Sequence, residues 1–592
     1  MGSVVALLSL SGRPDPDVVT RMVHGAPHRG LEITSASLGH AVVGVGRGDG
    51  IWSQEVAASD ALVLAVSGAI DNWRDVGHQV RAGGGEIADD SPASVLLAAI
   101  ELFGFEVLGR LRGVYAAIAT DGETLWCFRD HIGFRPLFVQ RTSRAVVVAS
   151  EIKQVVAGSP SNYEPDIDVV QLGFFGRLGD DRRSPIRGVE RVKAGAVLRA
   201  DRTGTRTERY WEPEALLETG PAPGSPHELQ EQFDALLVQA VRRSLTGHDV
   251  LSLSGGIDST AIGAYAAPAF LAGYGRPLLA LSAVYPEFPA VDEREYIETA
   301  AQRFATPLTT YVSQVAPTDG MEDWVRLCDG PVRVVSLSET DELLRHAKAL
   351  GCRNALTGEL AELVFDMRWY VLQHLLVSGR LAAAGRQVAA LHSRGLSGSR
   401  IARQVISTFV PASLGALYSR RGSVPYHGPR WIDPAKIPPP PYLPAGKRWT
   451  DGQLFAFADP GQALEADDYV QSHVGVTIRR PWADIDLWEF FLRLPAEVKF
   501  PQPGSKYLVR SLLRGRVPDV ILDREDKTVF DEHIAAHIDY SVLRKWLIKP
   551  AYQVDGVDYR VLADLLHDES LTLTDFMWAK DLAAVHAFLA QF

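Results

Sequence analysis

The stretch His248-Asp249-Val250-Leu251-Ser252-Leu253-Ser254-Gly255-Gly256-Ile257-Asp258-Ser259-Thr260 constrains the fold of this chain more than any other. It reads as a short buried strand, a tight Ser/Gly loop and a helix starting near Ser259. Such a loop aims several backbone N–H groups, two hydroxyls and a helix N-terminus at one point. That is a ready anion site, and phosphate is the anion that suits it. Asp258 inside the loop would repel phosphate unless a cation stood between them, so the segment also implies Mg²⁺. On its own, a Ser/Gly loop after a strand is as often a plain turn. The inference therefore depends on what converges on it.

Three further segments are placed to do so. Leu279–Tyr285 reads as a buried strand, with Asp292-Glu293 opening a helix after it. Asn354-Ala355-Leu356-Thr357-Gly358-Glu359-Leu360-Ala361-Glu362 reads as a strand running into a carboxylate-bearing turn. Pro503-Gly504-Ser505-Lys506-Tyr507-Leu508-Val509-Arg510 puts a lysine at a helix start. A lysine there opposes the helix dipole, so an anion partner explains it better than a surface role does. In an open parallel sheet, ligands sit at the carboxyl ends of the strands. Loops near residues 253, 285 and 357 would then share one crevice. Glutamates usually lie on solvated faces, but Glu359 and Glu362 follow a buried strand, which favours a site.

The rest of the chain narrows the class. At 592 residues it should hold more than one domain. A net charge of −12 disfavours nucleic acid as a partner. Cys127, Cys328 and Cys352 are widely spaced and form no CxxC pair, which argues against a disulfide framework or structural zinc and fits a reducing, cytoplasmic location. They read as small buried hydrophobes. Arg13, Asp15 and Asp17 arrive too early for a signal peptide. No apolar run is long enough to span a bilayer, so no membrane partner is expected.

Short β-type runs separated by glycine turns fill the first part: Val4–Leu10, Ala61–Val66, Val114–Ala119, Thr124–Phe128, Pro136–Val139 and Ala145–Ala149, with a helical stretch at Ser94–Leu102. They predict stacked antiparallel sheets with helices outside. The Pro/Gly stretch Gly220–Pro226 reads as a linker. From Glu228 the pattern turns to α/β and then to long helical segments. The expected division is a first domain over 1–205, a linker over 206–227 and a second domain over 228–592. Pro438–Pro441 predicts a stiff surface connection.

These residues together resemble the asparagine synthetase-like superfamily, over nearly the full chain. Ser254–Ser259 is similar to the SGGxDS hallmark of the ATP-pyrophosphatase (PP-loop) domain. The first part is similar to the glutamine-amidotransferase domain of the same enzymes, through Pro27–Gly30, Ser67–Asn72, Arg129–Leu137 and Ala149–Lys153. The resemblance implies an Ntn-type αββα sandwich followed by a parallel α/β sheet with many helices. It also exposes departures. The family's glutaminase uses a cysteine directly after the initiator Met, where this chain has Gly2. The oxyanion-hole asparagine is replaced by Ser67, and the acidic residue that grips the substrate amino group by Pro92. Glycine carries no group that could attack an amide, so the scaffold is expected to lack glutaminase activity.

The resemblance implies intact ATP chemistry in the second part. The family's GEGxDE turn stands here as Gly358–Leu363, its magnesium aspartate as Glu362 and its phosphate lysine as Lys506. Ser252, Ser254, Gly255, Gly256 and Ser259 would hold phosphates, Asp258 and Glu362 Mg²⁺, and Leu251, Val284, Thr357 and Gly358 adenosine. Glu359 would position or deprotonate an attacking amine. Live ATP chemistry with a dead ammonia source is similar to β-lactam synthetases and lasso-peptide cyclases. The helix-rich region at about 367–475 is more like the cyclases. In such a cyclase an Asp or Glu side chain of a precursor (core) peptide is adenylated and closed onto the peptide's N-terminal amine. A separate leader-peptide-binding protein and a leader peptidase usually act beside it. A β-lactam synthetase-like small-molecule cyclase, an ammonia-dependent asparagine synthetase and a silent nucleotide- or peptide-binding scaffold are the rival readings. His28, His131 and His473, and the segment Arg479, Arg480, Trp482, Asp484 and Asp486, read as structural. Trp369, Tyr370 and Tyr442 read as packing rather than as a peptide cleft.

Overall fold

The computed structural model describes all residues except 16, 160–162, 177–181, 332–336, 366–369, 410–427, 438–448, 455–460, 502–505, 525–527 and 529. Trp369, Pro438–Pro441, Tyr442 and Pro503-Gly504-Ser505 therefore lie outside the described residues.

The first strand shows why the β-rich part stacks. In β1 (Ser3–Ser9) every residue is buried. Val4, Ala6 and Leu8 face one apolar cluster, and Val5 and Leu7 face another. With successive side chains on opposite faces, such a strand must lie between two layers. It is joined by β2 (Glu32–Leu38), β3 (Ala41–Arg47), β4 (Ser53–Ala58), β5 (Val63–Ile70), β6 (Gly113–Thr120), β7 (Leu125–Arg129), β8 (Phe138–Arg141), β9 (Ala145–Ala149), β10 (Val189–Arg191), β11 (Ala196–Asp201) and β12 (Gly204–Arg209). They form two six-stranded sheets, β10-β8-β9-β1-β3-β2 and β12-β11-β7-β6-β5-β4. Neighbours pair antiparallel. Val43, Val45, Ala65, Ile118 and Cys127 fill the space between the sheets. The last strand runs across the expected boundary at residue 205.

Helices cover the outer faces. Helix α1 (Pro92–Phe103) starts with Pro at its first position, and the Ser91 side chain accepts from Ser94 N–H at 3.2 Å. Gly104 closes it at φ +68°. Pro92–Arg110 is the one described stretch with the length and apolarity of a membrane span. Its Val95, Leu96, Leu97 and Ile100 are buried against the second sheet, as a core helix requires.

After the Pro/Gly stretch, α2 (Pro226–Ser244) opens with a reciprocal Ser225–Glu228 capping box. Then come β13 (Asp249–Ser252), α3 (Ile257–Tyr274), β14 (Leu279–Val284), α4 (Arg294–Phe304), β15 (Leu308–Val312), α5 (Leu337–Ala349) and β16 (Asn354–Leu356). The chain returns through α6 (Gly461–Val474) to β17 (Thr477–Arg479), then α7 (Ile485–Arg493) and α8 (Tyr507–Leu513). The five strands are parallel in the order β15-β14-β13-β16-β17. The order reverses between β13 and β16, which is where open α/β sheets bind ligands. The fold class is the one expected. Helix α3 begins at Ile257, two residues before the expected start.

The halves are tied by buried and half-buried ion pairs, several of them on α6. Asp468 accepts from Arg135 Nη1 and from Arg29 Nη2, both at 2.6 Å. Glu465 receives Arg191 Nε at 2.9 Å. Arg479 pairs with Asp71 at 2.5 Å, and Arg112 with Asp486 at 2.7 Å. The last helix, α9 (Leu573–Leu589), buries Phe576, Leu582 and Phe588 in the same cluster as Val5 and Leu7.

Candidate active site at the reversal of the sheet

The loops after β13 and β16 leave neighbouring strands and meet. Their contact is so close that a Cβ at Gly358 would stand 2.4 Å from the Ser259 nitrogen and 2.6 Å from the Asp258 carbonyl carbon. Only glycine fits there. Gly255 takes φ +73°, again a glycine conformation, packed under Glu293 and Tyr296. Ser259 Oγ accepts from Ser254 N–H at 3.1 Å and lies 3.0 Å from Ser254 Oγ. Thr260 Oγ1 donates to the Gly256 carbonyl at 2.7 Å. Ser259 thus braces the loop, while Ser254 is exposed at its tip. Gly256 occupies the cap position of α3 and supplies no side chain to the first-turn N–H groups. A helix N-terminus without a side-chain cap is electrostatically suited to an anion.

Charged groups surround this loop. Lys506, almost fully buried at the start of α8, donates to Asp258 Oδ2. Its φ of +53°, and the +69° of Leu360 beside Glu359, are strained for residues with side chains. The fully buried Trp482 donates through Nε1 to the Asp258 carbonyl at 3.2 Å. Glu362 is exposed at the rim, yet enough protein surrounds it to raise its carboxyl above the usual range. Desolvation is the main cause and the Asp258 charge adds to it, against the pull of Lys506. Glu359 is 46% exposed, and its Oε2 accepts from Arg480 Nε at 2.6 Å. Arg480 is only 4% exposed and reaches Asp467 Oδ2 through Nη2 at 2.5 Å. Burial pushes Asp467 up to about 7, opposed by Arg480 and helped by Glu359 and Asp468.

The structure brings Ser254, Gly255, Gly256, Asp258, Ser259, Gly358, Glu359, Glu362 and Lys506 into one neighbourhood at the carboxyl ends of β13 and β16. Ser252 ends β13 half-buried, and Val284 ends β14 buried. Thr357 is buried beside Gly358, and its hydroxyl has no hydrogen-bond partner among the described residues. Leu251 is a correction. It is fully enclosed in the core, with its Cδ2 2.9 Å from where a Cβ on Gly263 of α3 would sit, so it packs under the helix rather than toward adenosine. Arg480, Asp467 and Trp482 were read as structure or passed over, and they contact the site directly. The signal was a paired arginine, Arg479-Arg480, entering a buried segment.

Among the described residues no group of three or more His, Cys, Asp or Glu side chains is set to hold a metal. Asp258 and Glu362 instead form a two-carboxylate set whose charges oppose one another.

In the first half, a Cβ at Gly2 would stand 2.3 Å from the Gly46 carbonyl oxygen and 2.4 Å from Gln54 Oε1. The Gly2 carbonyl accepts from Arg135 Nη2 at 2.6 Å and from Ser67 Oγ at 3.1 Å. Position 2 has no room for a side chain. A cleft of about 1330 Å³ lies beside it, lined by Arg47, Trp52, Gln54, Trp73 and Pro92. Thr246 and His248 also line it, and they precede β13. It therefore opens toward the amino ends of the parallel strands, away from Gly255.

The family model described as asparagine synthase matches residues 232–572, and that described as glutamine amidotransferase domain matches residues 1–211. The chain is 26% identical over 501 residues to a putative glutamine-hydrolyzing asparagine synthetase of Mycobacterium tuberculosis, covering 79% of this chain and 74% of the relative. It is 24% identical to the glutamine-hydrolyzing asparagine synthetase 3 of Bacillus subtilis, covering 85% and 80%. A carboxyethyl-arginine beta-lactam-synthase of Streptomyces clavuligerus is 28% identical over 187 residues, covering 30% and 33%.

Proposed function

We infer the function from one premise: this chain belongs to the asparagine synthase family, and so to the ATP-dependent ligases that form amide bonds. Within that class we propose a lasso-peptide cyclase. It adenylates an Asp or Glu side chain of a core peptide and closes a macrolactam with the peptide's own N-terminal amine. The observation that carries this reading is the contrast between the two sites. Position 2 is closed to any nucleophile by Gly46 and Gln54, while the crevice beside Gly255 keeps an anion loop, a lysine and an accessible carboxylate.

A carboxylate is a poor acyl donor because its leaving group would be oxide. Its oxygen attacks the α-phosphorus of ATP, pyrophosphate leaves, and the acyl carbon gains AMP as a leaving group. Ser254 and the N–H groups at Gly255, Gly256 and the first turn of α3 bind phosphate, with Ser259 holding the loop in shape. Thr357, whose hydroxyl has no partner among the described residues, and Gly358 border the nucleotide. Lys506 neutralises charge on the phosphates as they separate. Asp258 and Glu362 suit Mg²⁺, which takes one or two carboxylates together with phosphate oxygens; the ion would neutralise the leaving pyrophosphate. Glu359 receives the amine proton. Both reacting groups belong to one molecule, so holding them in contact is worth roughly 7–11 kcal/mol.

The expected surroundings are a leader-peptide-binding protein and a leader peptidase in the cytoplasm. Partial likeness to the beta-lactam-synthase supports a second reading, a small-molecule cyclase of the same chemistry. The test supplies ATP, Mg²⁺ and leaderless core peptide and follows loss of one water by mass spectrometry. Asparagine formed from aspartate and ammonia, with the peptide unchanged, would overturn the cyclase.

A further inference from the structure

Arg480 is enclosed by protein, yet its guanidinium is split between two carboxylates of different exposure. Nε serves Glu359 at the mouth of the crevice, and Nη2 serves Asp467 behind it. The guanidinium also lies 5.7 Å from the ring of Phe134, a residue of the first half. Asp467 is fixed in turn, because its neighbour Asp468 on α6 is locked to Arg29 and Arg135. On its other side Glu359 joins Leu360, held at φ +69°. A half-exposed glutamate side chain would ordinarily sample several rotamers; this one is tied at Oε2. Among the described residues Oε1 has no hydrogen-bond partner and stays able to accept a proton.

We propose that Arg480 and Asp467 are positioning residues for amide formation. Arg480 fixes the Glu359 carboxylate where the attacking amine must pass, and Asp467 fixes Arg480. The inference rests on the cyclase reading above. In the step concerned, the amine nitrogen bonds to the acyl carbon and the bond from that carbon to the phosphate oxygen breaks. AMP leaves with the electron pair, and the proton shed by the amine passes to Glu359. A wandering Glu359 leaves the acyl-adenylate to water, which returns linear peptide and AMP. The charged groups facing Glu359 are Arg480 and Asp467, and Glu362 on its own turn; Asp468 and the Asp258–Lys506 pair lie further off.

The experiment counts AMP released per ring closed, alongside ATP–pyrophosphate exchange, with the full chain and a core peptide. Arg480→Gln and Asp467→Asn should lower ring closure by roughly 10–100-fold, and by at least about tenfold more than they lower exchange. AMP per ring should rise as linear peptide is regenerated. Arg480→Lys, which keeps the charge but loses the fork, should recover part of the closure rate. If Arg480→Gln fails to fold, as a thermal melt would reveal, Arg480→Lys and Asp467→Asn carry the comparison. Exchange and closure falling together, or AMP per ring unchanged, overturns the proposal. A wild-type enzyme that closes no ring at all overturns the reading beneath it, and with it the proposal.

Discussion

Each half of this chain sets a tight stretch of backbone at one end of a β-strand, Gly2 before β1 and Gly255 after β13, and the two stretches have met different surroundings. At position 2 the backbone is pressed against Gly46 and Gln54, and its carbonyl is consumed by Arg135 and Ser67. Beside Gly255 the backbone is equally tight, with Gly358 pressed against Asp258 and Ser259, but there the N-terminus of α3 carries no side-chain cap. Close packing alone therefore does not tell the two places apart. They differ in their polar groups: the Gly2 carbonyl is bonded inward to protein, and the cap of α3 holds no side chain.

The comparison can be broken at the seam first. Asp468→Ala removes the carboxylate shared by two buried arginines. It should cost about 3–5 kcal/mol, seen as a lower denaturant midpoint for the whole chain. An unchanged midpoint would mean the first half is not held by these pairs. Next, Lys506→Ala should cut ATP–pyrophosphate exchange by about 10²–10³-fold with little change in melting. Full exchange would remove the lysine from the chemistry. A milder test, Gly2→Cys, restores the missing thiol. It should produce no glutamine hydrolysis and destabilise by about 1–3 kcal/mol through overpacking. Release of glutamate from glutamine would show the first site to be merely unarmed.

The last test is read as a slope and concerns a buried lysine bonded to neutral acceptors. Lys499 donates to Gln453 Oε1 and the Leu492 carbonyl, both at 3.0 Å, and burial lowers its pKa to about 7. Between about 7 and the ordinary lysine value near 10.4, the unfolded chain holds a proton that the folded one lacks. Stability from this group therefore rises with pH across that window, by at most about 1.4 kcal/mol per pH unit. Lys499→Met should flatten that slope in unfolding curves at pH 7 to 10. An unaltered slope would show that Lys499 stays charged in the fold.

How much of this was legible beforehand follows from range. The strand, loop and helix around Ser254–Ser259 are contiguous, so glycine placement and apolar runs sufficed to predict them. That the loops near 253 and 357 meet was expected from a parallel sheet, while the strand order and the strands β15 and β17 came only with the structure. Leu251 was misplaced because β13 is buried on both sides, and a strand without alternation hides which face a residue takes. The tie between Arg480 and Glu359 spans 121 residues, and no local periodicity encodes it. Arg480 and Asp467 stayed hidden for that reason, although both are ordinary charged residues in plain sight.

Asp467 and Asp468 are consecutive on α6, and they serve different masters: one holds Arg480 beside Glu359, the other is clasped by arginines of the first half. Anyone trimming this protein to a minimal catalyst would strip those arginines away and leave the second aspartate bare next to the first. The first half is thus a chassis, and a shortened enzyme would need a new one before it could be expected to turn over.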